Sequence, residues 1–334
     1  MDICPGLLLF KGGLLLPERY LLDFEEPLRQ IREKIREMET WAERDPEHAR
    51  SEIARLEEQE ARLSNEIYGK LTSWQRVQIA RHPNRPYTLD YISLMMTDFI
   101  ELHGDRITGD DAAMVTGLAR IGDCPVAVVG QQKGRDNEER LRRNYGMPNP
   151  EGYRKALRIM KLAERFSIPV LTFIDTPGAF PGITAEEHGQ GEAIARNLLE
   201  MSRLRVPVVV TIIGEGGSGG ALGIGIGDRV IMLENAWYSV IAPESCSTIL
   251  MRSTDKKVKF AEELKLTAPE LKKLGIIDII IQEPLGGAQN DPEQVAGQLK
   301  DVLVKLLDEL RRIPADTLVE ERIRKFRTIG RWTE

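Results

Sequence analysis

The chain has 334 residues, room for one large or two medium domains. Its apolar residues (42%) and charged residues (29%) are in the balance of an ordinary soluble globular protein. A net charge of −6 argues against a nucleic-acid binder. The three cysteines, Cys4, Cys124 and Cys246, lie far apart with no CxxC pair, which excludes a cysteine-rich zinc ribbon in this chain and fits a reducing cytoplasm. The four histidines form no HExxH or paired metal spacing, so no metal site is expected.

The first segment carries two apolar runs, Leu7-Leu-Leu-Phe10 and Leu14-Leu-Leu16, interrupted by Lys11-Gly-Gly13. No basic stretch precedes them, so neither a signal peptide nor a membrane helix is expected. Residues 1–21 read as an atypical extension of the kind an upstream start codon would add. From Phe24 to Arg81 the pattern is helical. Phe24, Leu28, Ile31, Ile35 and Met38 step by threes and fours, and Asp45-Pro46 predicts an N-cap with proline at the first helical position. Ile53, Leu56, Leu63 and Ile67 continue the stripe, so residues 22–82 are expected to form a helical hairpin. Its apolar seam fits packing on its own core and docking of a partner equally well.

His82-Pro-Asn-Arg-Pro86 marks a break, and residues 83–334 read as a second, α/β domain. Strands are expected at Ala113–Arg120, Pro125–Gln131, Pro169–Ile174, Val206–Ile213 and Arg229–Leu233. Helices are expected at Tyr153–Phe166, Ala185–Leu204, Pro269–Leu274 and Pro292–Arg311. Thr267 with Glu270 predicts a capping box. This alternation implies parallel crossovers.

Two strand-to-helix loops stand out. One is Asp175-Thr-Pro-Gly-Ala-Phe-Pro-Gly182. The other follows the β-branched run Val208–Ile213 and holds Gly214, Gly216, Gly217, Gly219 and Gly220. Glycine lets backbone N–H groups approach a ligand closely, and a helix start adds unpaired donors. Together these suit an anion or a developing oxyanion. Glycine costs about 1 kcal/mol relative to alanine in regular structure, so such a density calls for a compensating role. Asp175-Thr-Pro-Gly178 matches a GTPase DxxG, but no GxxxxGK[ST] accompanies it. Gly214-x-Gly216-x-x-Gly219 with Glu234, 15 residues on, imitates a dinucleotide fingerprint, although only eight residues separate Gly220 from Arg229. Ser218 reads as a loop hydrogen-bonding residue, and His188 at a helix start reads as a surface or capping group. Between Lys133 and Arg143 lie five basic residues, Lys133, Arg135, Arg140, Arg142 and Arg143, which fit either phosphate contact or a solvated helix face.

A series of ordered blocks carries a family resemblance: Arg81-His-Pro-Asn-Arg-Pro-Tyr-Thr-Leu-Asp-Tyr91, His103-Gly-Asp-Arg106, Gln132-Lys-Gly-Arg135 and Arg142-Arg-Asn-Tyr-Gly-Met-Pro148. Pro150-Glu-Gly-Tyr-Arg-Lys-Ala-Leu157, the Asp175–Gly182 loop, Gly189-Gln-Gly-Glu-Ala-Ile-Ala-Arg-Asn197, the Gly214–Ala221 loop and Glu283-Pro-Leu-Gly-Gly-Ala288 complete it. From about Leu22 onward the chain resembles the carboxyltransferase alpha subunit of bacterial-type acetyl-CoA carboxylase.

The resemblance implies a crotonase-like α/β fold of repeated ββα units, preceded by the helical hairpin. It implies transfer of a carboxyl group from carboxybiotin to acetyl-CoA, giving malonyl-CoA in the first committed step of fatty acid biosynthesis. It also implies an α2β2 assembly in the cytoplasm, active only with a beta subunit that carries the zinc ribbon. Biotin carboxylase completes the complex, and biotin arrives on a separate carboxyl carrier protein with none bound covalently here. Charge develops on the ureido oxygen of biotin and on the thioester oxygen, and each wants preorganised N–H donors. By this resemblance Gly219 and Gly220 form the oxyanion hole toward biotin. Ala221, Gly216, Gly217, Gly178 and Ala179 line the site, and Arg142 and Arg143 are candidates for substrate phosphates. Two other readings stay open: a nicotinamide-dependent oxidoreductase, which binding of NADH would reveal, and a non-catalytic scaffold, which would assemble with a beta subunit without turnover.

Overall fold

A computed structural model describes residues 20–42 and 45–330. The extension expected over residues 1–21 lies almost wholly outside the described residues. Two antiparallel helices, Glu26–Trp41 and Pro46–Tyr68, open the described chain. Leu28 and Ile31 from the first and Ala49 and Leu56 from the second are buried, while Ile35 and Met38 are half-buried toward the tip. The Asp45 side chain accepts the His48 N–H at 3.2 Å, the expected cap. Arg32 meets Glu60 across the seam at 2.5 Å. The hairpin base is tied by Tyr68 Oη donating to Glu25 at 2.6 Å.

The expected break at His82–Pro86 turns out to be a clasp. Arg85 is fully buried, donating from Nε to the Ile213 carbonyl at 2.8 Å and through both terminal nitrogens to Glu283 at 2.9 and 2.7 Å. A bidentate guanidinium–carboxylate pair of this kind is among the stronger buried contacts when fully satisfied.

The core is one eight-stranded sheet. Its strands are β1 (Thr97–Glu101), β2 (Met114–Ile121), β3 (Cys124–Gln131), β4 (Val170–Thr176), β5 (Val208–Gly217), β6 (Arg229–Leu233), β7 (Trp237–Ser239) and β8 (Ile279–Ile281). The order is β1-β2-β3-β4-β5-β6-β8, with β7 pairing β5. The first three strands are antiparallel neighbours, and every pairing from β3 onward is parallel. Every residue of β4 and β5 is buried, as strands covered on both faces require. Each fully buried Val, Ile or Leu there contributes about 1.5–3 kcal/mol. The parallel strands β3 to β6 follow one another in chain order, after which the chain turns back to pair β7 with β5 before β8 joins β6.

Three strands escaped the sequence reading. β1 is mostly exposed and includes Asp98 at φ +54°, while β7 and β8 have only three residues each. The expected helix Ala185–Leu204 is two, Ile183–Glu187 and Gln190–Arg203, separated where Gly189 turns to φ +82°. Thr267 forms no capping box; its hydroxyl meets the Glu270 carboxylate at 3.1 Å, with no side-chain cap on a backbone N–H. The chain closes with helix Ala315–Arg327, whose fully buried Arg322 pairs with Asp228 at 2.7 Å and donates to the carbonyls of Met201, Leu204 and Val206. Among the described residues no helix is long and apolar enough to cross a membrane.

Candidate functional site

The two glycine loops emerge side by side from the carboxyl ends of β4 and β5. β5 is longer than its β-branched run, continuing through Gly214, Glu215, Gly216 and Gly217. This length lets it serve two ladders: Val209–Ile212 pair with β6, and Glu215–Gly217 pair with β7. At the end of β5 the backbone folds hard against the other loop. A Cβ on Gly217 would lie 2.2 Å from the Pro177 carbonyl oxygen, and one on Gly220 would lie 2.3 Å from the Gly178 carbonyl carbon and 2.4 Å from Ala179 N. Only glycine permits this backbone-to-backbone approach.

Ser218 makes the turn from strand to helix at φ +55°, a left-handed conformation that costs a non-glycine residue energy. The short helix Ser218–Leu222 follows. Among the described residues neither the Gly219 nor the Gly220 N–H donates to an acceptor in the chain, as the first turn of a helix dictates. Gly219 is partly exposed, and its nearest neighbour is Ile194 Cδ1, 3.8 Å from a built Cβ. Beside it opens an apolar cavity of about 340 Å³, lined by Ser218, Gly219, Leu222, Tyr238, Val240 and Ile276 among others. Residues Gly216 to Gly220 also have the Gly-x-Ser-x-Gly spacing of a nucleophile elbow. The exposed Ser218 hydroxyl makes no hydrogen bond among the described residues, contrary to the role expected for it. Among the described residues no histidine side chain hydrogen-bonds it: His188 faces Glu151 at 2.7 Å, His103 faces Asp110, and the His82 ring meets Tyr20 O and Asn84 N. His188 is exposed, as expected of a surface group, and its ring hydrogen-bonds the Glu151 carboxylate.

Beneath the loops lies a charged floor that no local sequence pattern announced. Lys133 Nζ donates to Asp175 at 2.6 Å and to Glu215 at 2.8 Å. Arg81 Nε donates to the other Glu215 oxygen at 2.6 Å and also pairs with Glu244. Asp175 Oδ1 further accepts the Glu215 N–H at 2.9 Å, joining the β4 side chain to the β5 backbone. Burial alone would raise the Glu215 carboxyl, but Lys133 and Arg81 hold it down at about 2. Burial pushes Asp175 up, with Lys133 opposing and the Glu215 charge adding. For Lys133 the desolvation cost is outweighed by its two carboxylates, which keep it above the ordinary lysine range. The sequence reading had placed Lys133 in a basic run; here it is a buried counter-ion.

The rest of that run divides. Arg135 lies over the Tyr87 ring at 4.0 Å and donates to the carbonyls of Pro83 and Arg85. Arg143 is buried, bonded to Glu139 at 2.8 Å and to the Ala112 carbonyl at 2.8 Å. Arg142 projects outward, with its side chain 63% exposed. Gln131, the last residue of β3, was not singled out from sequence. Its side chain accepts the Asp175 N–H at 3.1 Å and donates to the Gly220 carbonyl at 2.8 Å, bridging the two loops.

Comparison with known proteins gives the frame a family. Residues 21–330 match the model of the acetyl co-enzyme A carboxylase carboxyltransferase-like family. A protein of Chlorobaculum parvum named acetyl-coenzyme A carboxylase carboxyl transferase subunit alpha is 56% identical over 330 residues, covering 95% of this chain and 98% of its own length. The protein of that name from Geobacter metallireducens is 52% identical over 319 residues, 96% of this chain and 100% of its own. Among solved structures, the beta subunit of Pseudomonas aeruginosa geranyl-CoA carboxylase superposes with a TM-score of 0.54 at 16% identity, over 75% of this chain and 46% of that one. Transcarboxylase 12S gives 0.53 at 20% identity, over 66% and 42%. These distant likenesses show the fold, which is the crotonase-like one expected. The chain belongs to the acetyl co-enzyme A carboxylase carboxyltransferase-like family and is a carboxyltransferase subunit within it.

Proposed function

We propose that the two glycine loops are this chain's half of a site that moves a carboxyl group from carboxybiotin to acetyl-CoA, forming malonyl-CoA. The observation that carries the reading is the pair of unpartnered N–H groups, Gly219 and Gly220, of which Gly219 lines an apolar cavity of about 340 Å³. Carboxybiotin, when bound, supplies an activated carboxyl group and takes up negative charge on its ureido oxygen. Those residues fit such a group, since free amides suit a developing oxyanion and apolar walls suit the tetrahydrothiophene ring and alkyl chain of biotin.

In this reading Gly219 and Gly220 hold the oxyanion. Ala221, Gly216, Gly217, Gly178 and Ala179 form the wall that keeps the two loops at fixed distance. Arg142 reaches substrate phosphates, while Arg143 holds the segment that presents it. No side chain of the loops needs to act as base, because biotin that has released its carboxyl group would supply its own ureido oxyanion to take the acetyl methyl proton, while the backbone donors would stabilise the charge on that oxygen. One lost donor of this type costs about 10²–10³ in rate. The second set of donors, for the thioester oxygen, comes from a beta subunit in an α2β2 assembly, and that subunit carries the zinc ribbon. Biotin arrives on its carrier protein, in a cytoplasmic complex with biotin carboxylase. Residues 22–82 serve as a helical arm, and residues 83–334 as the transfer domain.

The test is the reverse reaction, with malonyl-CoA and biocytin as substrates. Consumption of malonyl-CoA only when alpha and beta subunits are both present supports the split site. Turnover by the alpha chain alone refutes it. A well-formed complex without turnover refutes the transfer reading itself.

A further inference from the structure

The carbonyls of the short helix Ser218–Leu222 are not all treated alike. Gly219 O, Ala221 O and Leu222 O accept backbone N–H groups from Gly223, Ile224 and Gly225. Gly220 O instead accepts two side-chain donors, Gln131 Nε2 at 2.8 Å and Tyr153 Oη at 3.1 Å. Both donors are fully buried and come from different elements, the end of β3 and the helix Pro150–Arg165. The far end of the Gln131 amide is used as well, accepting the Asp175 N–H at 3.1 Å.

Resting on the carboxyl-transfer reading, we infer that Gln131 and Tyr153 form a two-donor clamp on the Gly220 carbonyl that aims the backbone donors of the oxyanion hole. A peptide unit is planar, so holding Gly220 C=O fixes the plane that follows it. That plane carries the Ala221 N–H, and it anchors the Gly220 Cα on that side, leaving rotation about the N–Cα bond as the freedom still open to the Gly220 N–H. Glycine has no Cβ to limit that rotation, so a run of glycines needs external anchors to behave as a preorganised site. Two hydrogen bonds to one carbonyl also polarise the Ala221 N–H of the same peptide unit in a low-dielectric interior. Neither residue touches substrate; both are positioning residues. Because Gln131 binds the Asp175 N–H as well, it sets the distance between the two loops.

The test uses the assembled alpha–beta complex, with malonyl-CoA and biocytin as probes. Tyr153→Phe removes one donor without changing shape, and Gln131→Met removes the other at similar volume. Tyr153→Phe is expected to lower kcat by about three- to tenfold, the effect of one neutral hydrogen bond, and Gln131→Met by more, because it also leaves the Asp175 N–H without its acceptor. KM for malonyl-CoA stays unchanged, because the thioester is held elsewhere. The double variant loses more than the product of the two, because each single variant leaves one donor in place. Gln131→Glu keeps the acceptor for Asp175 N–H but donates to Gly220 only when protonated. Its activity relative to wild type therefore rises as pH falls, which a merely structural role would not produce. Losses under twofold in kcat, or losses that fall equally on kcat and on KM for malonyl-CoA, overturn the clamp alone. An inactive wild-type complex overturns the transfer reading and the clamp together.

Discussion

Gly219 and Gly220 are adjacent and chemically identical, yet the structure predicts opposite responses to a single added methyl group. At Gly220 the new carbon would sit 2.3 Å from the Gly178 carbonyl carbon and 2.4 Å from Ala179 N. Non-bonded carbons prefer about 3.5–4.0 Å, so the loops must separate by about 1 Å. Overpacking of this kind costs about 1–3 kcal/mol. The obstacle is backbone rather than the end of a flexible side chain, so the cost should fall at the upper part of that range. The displaced groups are the proposed amide donors, and a 1 Å misplacement costs about 10²-fold in rate. At Gly219 the nearest atom to the added carbon is Ile194 Cδ1 at 3.8 Å, ordinary contact. There the exchange of glycine for alanine inside a helix gains up to about 1 kcal/mol. Thermal melting of the two variant complexes, alongside malonyl-CoA consumption with biocytin, separates the cases. Gly220→Ala should melt earlier and lose about two orders of magnitude in kcat, since both the fold and the donors move. Gly219→Ala should melt no earlier than wild type. A Gly220→Ala complex with wild-type melting and turnover would refute the close-approach argument.

The charged floor gives two further predictions. Lys133→Met leaves Asp175 and Glu215 buried without their shared counter-ion, and a broken buried pair costs about 3–5 kcal/mol; chemical denaturation should show the loss, and an unchanged midpoint would refute it. Glu215 is held at about 2 against an ordinary value of 4.5, so its folded form prefers the carboxylate. That stability is fully present above pH 4.5 and disappears as pH falls toward 2, a contribution of about 3 kcal/mol. Melting temperature followed from pH 6 to pH 3 should therefore fall more steeply in wild type than in Glu215→Gln. Asp175, whose carboxyl is raised above its ordinary 3.8, contributes with the opposite sign above that pH, its contribution to stability growing as pH falls toward 3.8 and constant below it. Arg142→Ala should raise KM for malonyl-CoA by about three- to tenfold with kcat unchanged, as expected for a partly screened phosphate contact. An unchanged KM at low ionic strength would remove Arg142 from the substrate.

The elements that sequence reasoning located are those with a local signal. β2 to β6 are runs of β-branched residues with turn residues between them, and the helical hairpin has a stripe at helical spacing and an Asp-Pro cap. The extension of β5 through Gly214–Gly217 had no such signal, because glycine is depleted in strands and reads as their end. What keeps that segment extended is non-local: β7 pairs with it, and Asp175 accepts the Glu215 N–H. The same holds for the site. Its glycines were visible, and the family resemblance pointed to the two that the structure leaves with unpartnered amides. Their supports were not legible as supports, since Arg81, Lys133, Tyr153, Asp175 and Glu215 stand in five separate blocks across more than 130 positions and Gln131 stands in none. A site made of side chains advertises its chemistry in residue types at fixed spacing. Backbone amides are common to every residue, so their chemistry depends on what holds the backbone still. Here that work falls to buried side chains bonded to the Glu215 N–H and the Gly220 carbonyl. Functional information in such a site therefore resides in its supports, and substitutions at those buried residues should damage turnover before they damage the fold.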